Sequence, residues 1–344
     1  MREKFSTVFF LLLSWLLFSR FAAAAPHLVN FGNEAMGTHV TMRVFAEDDA
    51  AAEQAMRDAF TEFQRIEKLM TTWREDSEVS RINQQAGIAP VKVSDETLEV
   101  IEAAQRASKL SDGAFDISFY ALHGVWKFDD DLDPKLPDNK ELKRRLALVN
   151  YQDIVVDHEK KTVFLRRSGM AISLGGIAKG YGVDRAIAVL RKAGFANAIV
   201  QAGGDLMCSG KKGDQSWTAG IRDPRGERDD VFAIMKLEGH AFSTAGDYER
   251  FFFIGKKRYH HIIDPKTGYP ATRSRSVTIY APSALLADAL DDAVFILGWQ
   301  RGLEIVESLD DVGAVVVDDK GQVHMSKRVA DRVQIVHPPQ RNSK

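Results

Sequence analysis

The sequence contains only one cysteine, Cys208, among 344 residues. A lone cysteine cannot form an intramolecular disulfide, and it cannot build a cysteine-based zinc site. The chain also lacks an excess of either charge, because 46 basic residues face 48 acidic ones. A nucleic-acid-binding surface needs a basic excess, so we expect no nucleic-acid partner.

A low-complexity or disordered composition is absent as well. Apolar residues make up 45% of the chain and charged residues 27%, which is ordinary for a globular protein. The length is sufficient for one large domain or for two closely joined lobes. The composition therefore predicts a folded protein with a large core.

The one long apolar run lies at the N-terminus. Arg2 and Lys4 precede it, residues 5–18 are almost wholly apolar, and residues 22–25 are all alanine. This order is typical of a secretory signal peptide, and the run is shorter than the ~20 residues of a membrane span. We therefore predict a signal peptide over residues 1–24 and an exported domain over residues 25–344.

Export makes the periplasm the expected location if the source is a Gram-negative bacterium. An uncleaved inner-membrane anchor is the less favoured alternative, and the lack of a cysteine near the cleavage region excludes a lipoprotein. Residues 1–24 contain three of the 46 basic residues and one of the 48 acidic residues, so the mature chain has a net charge of −4.

Hydrophobic periodicity predicts a mixture of helices and strands. We expect helices over residues 49–70, 95–110, 181–193, 284–297 and 300–309. We expect strands over residues 37–46, 154–156, 162–165, 198–201, 232–237, 276–280 and 314–317. The elements do not alternate regularly, so the fold class is α+β rather than a doubly wound sheet. The charged residues 129–142, with two prolines, are predicted to form a surface loop.

A glycine-bearing turn at residues 173–181 leads from a predicted strand into a predicted helix. Exposed amides at a helix N-terminus favour phosphate, and Lys179 adds a positive charge. The GxxxxGK[ST] loop is absent, and this turn does not match GxGxxG. The turn is therefore either a phosphate site or a tight packing junction between helix and sheet.

Two other short segments carry groups that can exchange protons or hydrogen bonds. Asp205 follows paired glycines, where it can accept hydrogen bonds from a base, a ribose or its own turn. His261 and Asp264 are three residues apart, which suits either an acid–base pair or local structure. Asp264 also precedes a proline, so it can simply begin a turn that ends at Gly268.

Asp288 and Asp292 are four residues apart in a predicted helix that is otherwise apolar. Like charges at this spacing share one face and repel each other unless a cation lies between them. Oxygen ligands of this type suit a hard ion such as Mg²⁺ or Ca²⁺. The alternative is a solvated acidic edge, which the neighbouring Asp291 makes plausible.

In their joint order and spacing, these segments resemble the ApbE family, the FAD:protein FMN transferases. The stretches that carry the resemblance are residues 36–38, 70–73, 76–78, 113–116, 175–184, 202–205, 243–248, 261–265 and 288–298. The resemblance implies a single α+β catalytic domain of two intertwined lobes. It also implies transfer of FMN from FAD to a threonine or serine hydroxyl of a target flavoprotein, with release of AMP.

The same resemblance implies how the nucleotide is bound. Its expected contacts are Met36, Trp73, Ala114, Phe115, Asp116, Lys179, Arg185 and Ile262. Met36 and Trp73 would line the flavin, and Ile262 would lie beside it. Lys179 and Arg185 would lie near the phosphates or the ribose. The acceptors that the family implies are redox-pump subunits and periplasmic reductases.

The resemblance also suggests the catalytic and metal-binding groups. His261 is the candidate general base for the target hydroxyl, with Asp264 assisting or orienting nearby structure. Asp288, Asp292 and the backbone carbonyl of Gly182 would hold Mg²⁺, with Ca²⁺ or Mn²⁺ as alternatives. Family members usually have threonine at the position of Asp292, so Asp291 remains an alternative third ligand.

Two other functions are compatible with these residues. An FAD pyrophosphatase would use the same site with water as the acceptor, giving FMN and AMP. A non-catalytic periplasmic flavin-binding protein would need no metal, so the acidic pair argues against it.

Overall fold

A computed structural model describes residues 25–128 and 132–341 of the chain. The predicted signal peptide, residues 1–24, lies outside the described residues, as do residues 129–131 of the predicted loop. Within the described ranges, none of the helices is both long and apolar enough to span a bilayer.

The described residues form seven α-helices: α1 Asp49–Met70, α2 Glu78–Gln84, α3 Asp95–Leu110, α4 Asn139–Leu146, α5 Ala178–Lys192, α6 Ala284–Leu297 and α7 Trp299–Glu307. The first eight strands are β1 His27–Ala35, β2 Thr38–Ala46, β3 Val91–Lys92, β4 Ile154–Asp157, β5 Thr162–Leu165, β6 Ala198–Ala202, β7 Asp205–Ser209 and β8 Trp217–Arg222. They are followed by β9 Val231–Leu237, β10 Ala241–Gly246, β11 Phe251–Ile254, β12 Lys257–His260, β13 Ser274–Ala281, β14 Gly313–Asp318, β15 Val323–Met325 and β16 Val333–Ile335.

An eight-stranded sheet organises the larger lobe, in the order β1-β2-β6-β7-β10-β13-β14-β15. Every neighbouring pair in it is antiparallel. Because this sheet lacks parallel crossovers, the α+β class expected from the sequence is confirmed. The sequence did not reveal β1, an edge strand whose polar Asn30, Asn33 and Glu34 interrupt apolar alternation.

Three helices, α1, α5 and α6, pack on one face of this sheet and bury a shared apolar core. The amphipathic α1 contributes Met56, Phe60 and Phe63 at helical spacing, as its sequence pattern predicts. On the opposite face lies a three-stranded sheet of β16, β9 and β8, with Trp217 and Phe232 in the core between the sheets.

A smaller lobe contains α2, α3 and the sheet of β3, β5 and β4. The predicted hairpin of β4 and β5 is confirmed, with Ile154 paired to Leu165. The C-terminal part of α1 contributes Ile66 to this core, α5 contributes Tyr181 and α6 contributes Ala289. Because the same three helices serve both cores, the two lobes are intertwined.

Helix α4 corrects the prediction of a loop through residue 142. Asp138 accepts hydrogen bonds from the backbone N–H groups of Lys140 and Glu141 and so caps the helix. Leu142 is buried, and Glu141 forms ion pairs with arginines three and four residues later. The charged composition concealed a short helix held by its cap, one apolar anchor and these pairs.

Candidate active site

The candidate site lies where the N-terminal end of α5 meets α6. At Gly180, a Cβ atom would lie 2.2 Å from the carbonyl oxygen of Ala284 and 2.9 Å from Cβ of Asp288. Glycine therefore permits a backbone approach that another residue would block. This approach lets the Gly180 N–H donate a hydrogen bond of 2.9 Å to Asp288 Oδ2.

A second contact holds the two helices at this junction. The carboxylate of Asp184, on α5, accepts hydrogen bonds of 2.8 and 2.9 Å from the backbone N–H groups of Ala284 and Leu285. These are otherwise unpaired donors at the beginning of α6, where the helix dipole favours a negative group. Burial raises the pKa of Asp184 to about 6, against the lowering effect of these bonds.

Three buried carboxylates converge beside this junction. Asp205, Asp288 and Asp291 each offer one oxygen, and these atoms lie within 4.8 Å of one another. Asp288 and Asp291 come from α6, whereas Asp205 begins β7 after a tight turn at Gly203, whose φ is +60°. The fold thus adds Asp205 to the acidic pair that the sequence indicated on α6.

Lys179 is the cation next to these carboxylates. Its Nζ atom lies 2.6 Å from Asp205 Oδ2, 3.1 Å from Asp288 Oδ1 and 3.3 Å from Asp288 Oδ2. Burial lowers the pKa of Lys179, but the charges of Asp205 and Asp288 outweigh it, and the net direction is upward. Lys179 is therefore an ammonium ion in this arrangement.

Ser243, on β10, connects the two sides of the cluster. Its Oγ atom lies within hydrogen-bonding distance of Asp205 Oδ1 and 2.6 Å from Asp291 Oδ2. A hydroxyl has one proton, so it can donate to only one of these carboxyl groups at a time. Burial, together with the charges of Asp292 and Asp288, raises the pKa of Asp291 well above its usual range. A protonated Asp291 donating to Ser243, which donates to Asp205, satisfies all three groups.

The donor set fits a hard divalent cation. Oxygen ligands from several carboxylates are what Mg²⁺, Mn²⁺ and Ca²⁺ prefer. Burial and the charge of Asp205 raise the pKa of Asp288 to about 7, against the lowering effect of Lys179. Buried carboxylates that ionise at such cost are stabilised by a nearby cation.

Asp292 and Gly182, the two other predicted metal ligands, have different surroundings. Asp292 points towards the glycine turn, since its Oδ2 atom would lie 3.3 Å from a Cβ at Gly176. Burial raises the pKa of Asp292 to about 6. Gly182 is buried in α5, where a Cβ would lie 2.7 Å from Phe63 and 3.3 Å from Met36 Sδ. Their roles as ligands stay predictions.

A cavity of about 110 Å³ is lined in part by Lys179. It brings together Met36, Trp73 and Lys179, three of the residues expected to contact the nucleotide. Trp73 is 84% exposed, and Met36 adopts a positive φ of 54° in the turn between β1 and β2. An exposed indole and a thioether are suitable surfaces for a planar aromatic ring. Gly175 also lines the cavity, so the glycine turn contributes to its wall.

Four further predicted contacts are buried side chains. Phe115 would lie 3.5 Å from a Cβ at Gly176, so its ring borders the glycine turn. Ala114 and Ile262 are both in the core of the larger lobe. Asp116 accepts hydrogen bonds from Ser118 and from the backbone N–H of Tyr151, and burial raises its pKa. These bonds give Asp116 a structural role in addition to the predicted one.

Arg185 lies farther along α5, with its guanidinium turned to a different set of carboxylates. Its Nε atom is 3.4 Å from Glu62 and 3.8 Å from Glu96. Those glutamates also bind Arg65. The structure therefore does not join Arg185 to the Lys179 cluster, and its contact with the nucleotide stays a prediction.

His261 follows β12, and its backbone N–H donates to the carbonyl oxygen of Arg250 at 3.1 Å. Its Nδ1 atom is buried and has no hydrogen-bond partner among the described residues. Burial, then the charge of Arg250, lowers the pKa of His261 to about 3. The imidazole is therefore neutral near pH 7.

The neighbouring polar residues have structural partners. Asp264 Oδ1 accepts a hydrogen bond from the Lys266 N–H at 2.8 Å, and the Asp264 carbonyl accepts from the Gly268 N–H at 2.8 Å. These are the bonds of the turn that the sequence offered as its alternative role. His260 is buried with Nε2 2.7 Å from the Ala271 carbonyl oxygen.

The sequence interpretation assigned no role to Ser243 and only an open one to Asp205. The two glycines before Asp205 had indicated a site where the backbone approaches another group closely. Ser243 lay in a stretch that carries the family resemblance, but nothing local assigned it a chemical role, because its contacts are with two carboxylates 38 and 48 residues away.

The fold and this junction define an α+β domain with a buried carboxylate cluster beside a helix N-terminus. The model of the ApbE family matches residues 36–316. An FAD:protein FMN transferase of Klebsiella pneumoniae is 32% identical over 292 residues, covering 85% of this chain and 89% of that protein. Another, of Treponema pallidum, is 33% identical over 317 residues, covering 88% and 87%.

Solved structures give the same result. The flavin transferase ApbE from Vibrio cholerae matches with a TM-score of 0.79 and 27% identity, over 89% of this chain and 99% of that one. The ApbE protein of Thermotoga maritima matches with a TM-score of 0.78 and 33% identity, over 88% and 97%. The chain belongs to the ApbE family, which confirms the resemblance and the single-domain fold expected from the sequence.

Proposed function

We propose that this protein transfers FMN from FAD to a threonine or serine hydroxyl of a target flavoprotein and releases AMP, in a metal-dependent reaction. The enzyme class, FAD:protein FMN transferase, is confirmed by the relatives that carry this name. One observation carries the metal-dependent mechanism: the buried carboxylates of Asp205, Asp288 and Asp291 converge beside the N-terminus of α5.

Asp288 is the central ligand in this proposal. Asp205 and Asp291 lie near enough to share the ion, and Asp292 and the Gly182 carbonyl are the ligands suggested by family resemblance. When bound, a divalent ion such as Mg²⁺ would neutralise negative charge on the phosphate oxygens. Ca²⁺ or Mn²⁺ could fill the same oxygen-lined site.

The cavity beside Lys179 is the proposed site of the flavin nucleotide. Met36 and Trp73 would contact the isoalloxazine ring, and Phe115 would contact the nucleotide from the other side of the glycine turn. Lys179 and the amides at the beginning of α5 would bind the pyrophosphate, since both are electropositive. Ala114, Asp116, Arg185 and Ile262 complete the predicted contacts.

His261 is the proposed general base. The target hydroxyl oxygen forms a bond to the phosphorus of the FMN half, and the bond from this phosphorus to the bridging oxygen breaks. That oxygen leaves with AMP, and the hydroxyl proton passes to His261. The imidazole is neutral near pH 7, and its buried Nδ1 atom has no hydrogen-bond partner among the described residues.

The experiment that tests this function follows flavin and AMP together. The mature protein is incubated with FAD, Mg²⁺ and a candidate acceptor, and covalent in-gel flavin fluorescence and released AMP are measured. Transfer gives both signals, an FAD pyrophosphatase gives AMP alone, and a flavin-binding protein gives neither. Asp288→Ala, checked for folding by circular dichroism, should abolish both signals. Full flavinylation by this variant would contradict the metal assignment.

We also propose the acceptor, from the family resemblance, and the location, from the pattern of residues 1–24. A signal peptide over residues 1–24 would deliver the enzyme to the periplasm, where redox-pump subunits and reductases expose suitable hydroxyls. N-terminal sequencing of the protein from a periplasmic fraction checks this. A protein that retains Met1 and sediments with the inner membrane would support the uncleaved anchor instead.

A further inference from the structure

The ammonium group of Lys179 occupies space that a metal ion at the carboxylates would need. Its Nζ atom lies 2.6 Å from Asp205 and 3.1 Å from Asp288. An Mg²⁺ ion bound to the same oxygens would lie about 2.1 Å from each. The two cations would then share the same two carboxylates, in a buried site where like charges repel strongly.

Lys179 also has a second place to go. It lines the cavity that Met36, Trp73 and Gly175 also line, so the same residue borders the proposed nucleotide site and contacts the carboxylates. The lysine side chain is a flexible four-carbon stem, and it is 27% exposed here. Rotation about this stem is the movement that would bring the ammonium from the carboxylates towards the cavity.

The carboxylates need a positive charge whichever cation supplies it. Asp205 and Asp288 are buried, and Lys179 is in contact with both. Ser243 supplies a single proton to the Asp205 side, and the Gly180 N–H supplies a hydrogen bond to Asp288. These donors are neutral, whereas the Lys179 ammonium carries a charge opposite to that of the carboxylates it contacts.

We propose that Lys179 is a displaceable counter-ion: it neutralises Asp205 and Asp288 in the metal-free enzyme, and metal binding releases it to the phosphates of the nucleotide. The inference rests on the proposed function, because it uses the same metal and nucleotide sites. Its consequence is a coupling between the binding of the metal and the binding of the nucleotide. The metal strengthens nucleotide binding by freeing a cation that was otherwise engaged, and the nucleotide strengthens metal binding by the same factor.

The first test measures metal binding alone. Mn²⁺ is titrated into the purified mature protein without flavin, and free Mn²⁺ is followed by electron paramagnetic resonance. Lys179→Met removes the competing charge and should bind Mn²⁺ about tenfold more tightly than the wild type. Lys192→Met, at the exposed C-terminal end of the same helix, is the matched control and should leave the affinity unchanged. Equal or weaker binding by Lys179→Met overturns the proposal.

The second test measures the coupling. ADP, which has the pyrophosphate but no flavin, is titrated with and without Mn²⁺ by calorimetry. The metal should increase the ADP affinity of the wild type and of Lys192→Met by the same factor. In Lys179→Met this factor should be at least fivefold smaller. An undiminished gain in Lys179→Met contradicts the release of the lysine.

A third measurement covers the case in which Lys179→Met fails to fold. A crystal structure of the wild type with Mn²⁺ should show Nζ more than 4 Å from both Asp205 and Asp288. A lysine that keeps both contacts beside the bound ion refutes displacement. Failure of the proposed function is recognised separately, because wild type and Asp288→Ala would then bind Mn²⁺ equally. If only the wild type binds and Lys179→Met gains nothing, this inference alone fails.

Discussion

Asp288 shows at the scale of one residue how burial and charge determine the behaviour of the site. Its carboxyl ionises with a pKa of about 7 in the folded chain, against a usual value of 3.8. Between these values the folded state holds more protons than the unfolded state, so the free energy of unfolding falls as pH rises. The cause is burial, then the charge of Asp205, only partly offset by Lys179.

This sign predicts a pH dependence for the metal-free protein. In EDTA, the contribution of Asp288 should be most favourable near pH 4 and should be lost progressively as pH rises through 7. Urea unfolding of the wild type and of Asp288→Asn at several pH values measures it. The variant should show a shallower decline, because its amide does not titrate. Parallel curves for the two proteins would show that Asp288 is not the group responsible.

His261 gives a second prediction at this scale. His261→Ala should slow transfer by about 10²–10⁴-fold while leaving FAD binding intact, because general-base catalysis contributes about this much. Because its pKa is lowered to about 3, protonation of this imidazole should not limit the wild-type rate between pH 5 and 8. Single-turnover rates and an FAD-binding titration separate the two effects. A variant that transfers at the wild-type rate would place the base elsewhere.

At the scale of elements, the contact between α5 and α6 determines the geometry of the site. The Gly180 backbone packs against Ala284, and Asp184 caps α6 from the side of α5. The first contact requires that Gly180 have no side chain, and the second requires the carboxylate side chain of Asp184. Together they hold Asp288 against the beginning of α5.

A methyl group at Gly180 should separate these helices. Gly180→Ala would place Cβ 2.2 Å from a backbone oxygen, which cannot rotate away, so we expect a loss of about 1–3 kcal/mol or more in the free energy of unfolding. The matched control is Gly32→Ala in β1, where the nearest atom is the far end of His39 at 3.4 Å. Denaturant unfolding of both variants checks this. If both lose the same stability, the close contact is not the cause.

The sequence predicted most elements whose signals are local. Helices α1, α3 and α6 begin and end where periodicity and their caps indicate, and Ser94 accepts a hydrogen bond from the Thr97 N–H as the N-cap of α3. The glycine turn before α5 was also evident, although the helix begins at Ala178, three residues before the predicted start. These features depend on neighbours within one or two turns.

The contacts of the site that escaped prediction depend on distant pairing. Ser243 meets Asp205 because β10 and β7 pair with Phe242 opposite Leu206. No local pattern encodes that register, since it is set by which strands of the sheet become neighbours. The same limit applies to Lys179, whose chemical type suggested a phosphate contact while its carboxylate partners came from β7 and α6.

At the scale of the whole molecule, the site lies where the two cores meet. Helices α1, α5 and α6 contribute buried residues to both, so a ligand bound between α5 and α6 contacts elements that each lobe requires. A ligand that binds only the folded state raises the free energy of unfolding by an amount that depends on its concentration and affinity. The increase is about 2.7 kcal/mol when the ligand concentration is a hundred times Kd.

We therefore expect ADP and Mg²⁺ together to raise the midpoint of thermal unfolding by a few degrees in one cooperative transition. Differential scanning calorimetry measures the shift, with ADP alone and Mg²⁺ alone as controls. Asp288→Ala should lose the part of the shift that needs the metal. Two separate transitions, with only one shifted, would show that the lobes unfold independently.

The buried Cys208 has a practical consequence. Its thiol is 0% exposed, packed between the two sheets, and burial raises its pKa, so little reactive thiolate is available. Maleimide dyes and spin labels should leave the native protein unmodified. A cysteine introduced at exposed Trp73 or at Lys192 would then be the single labelled position. Fluorescence or spin-label distances could follow the nucleotide cavity without first removing the natural thiol.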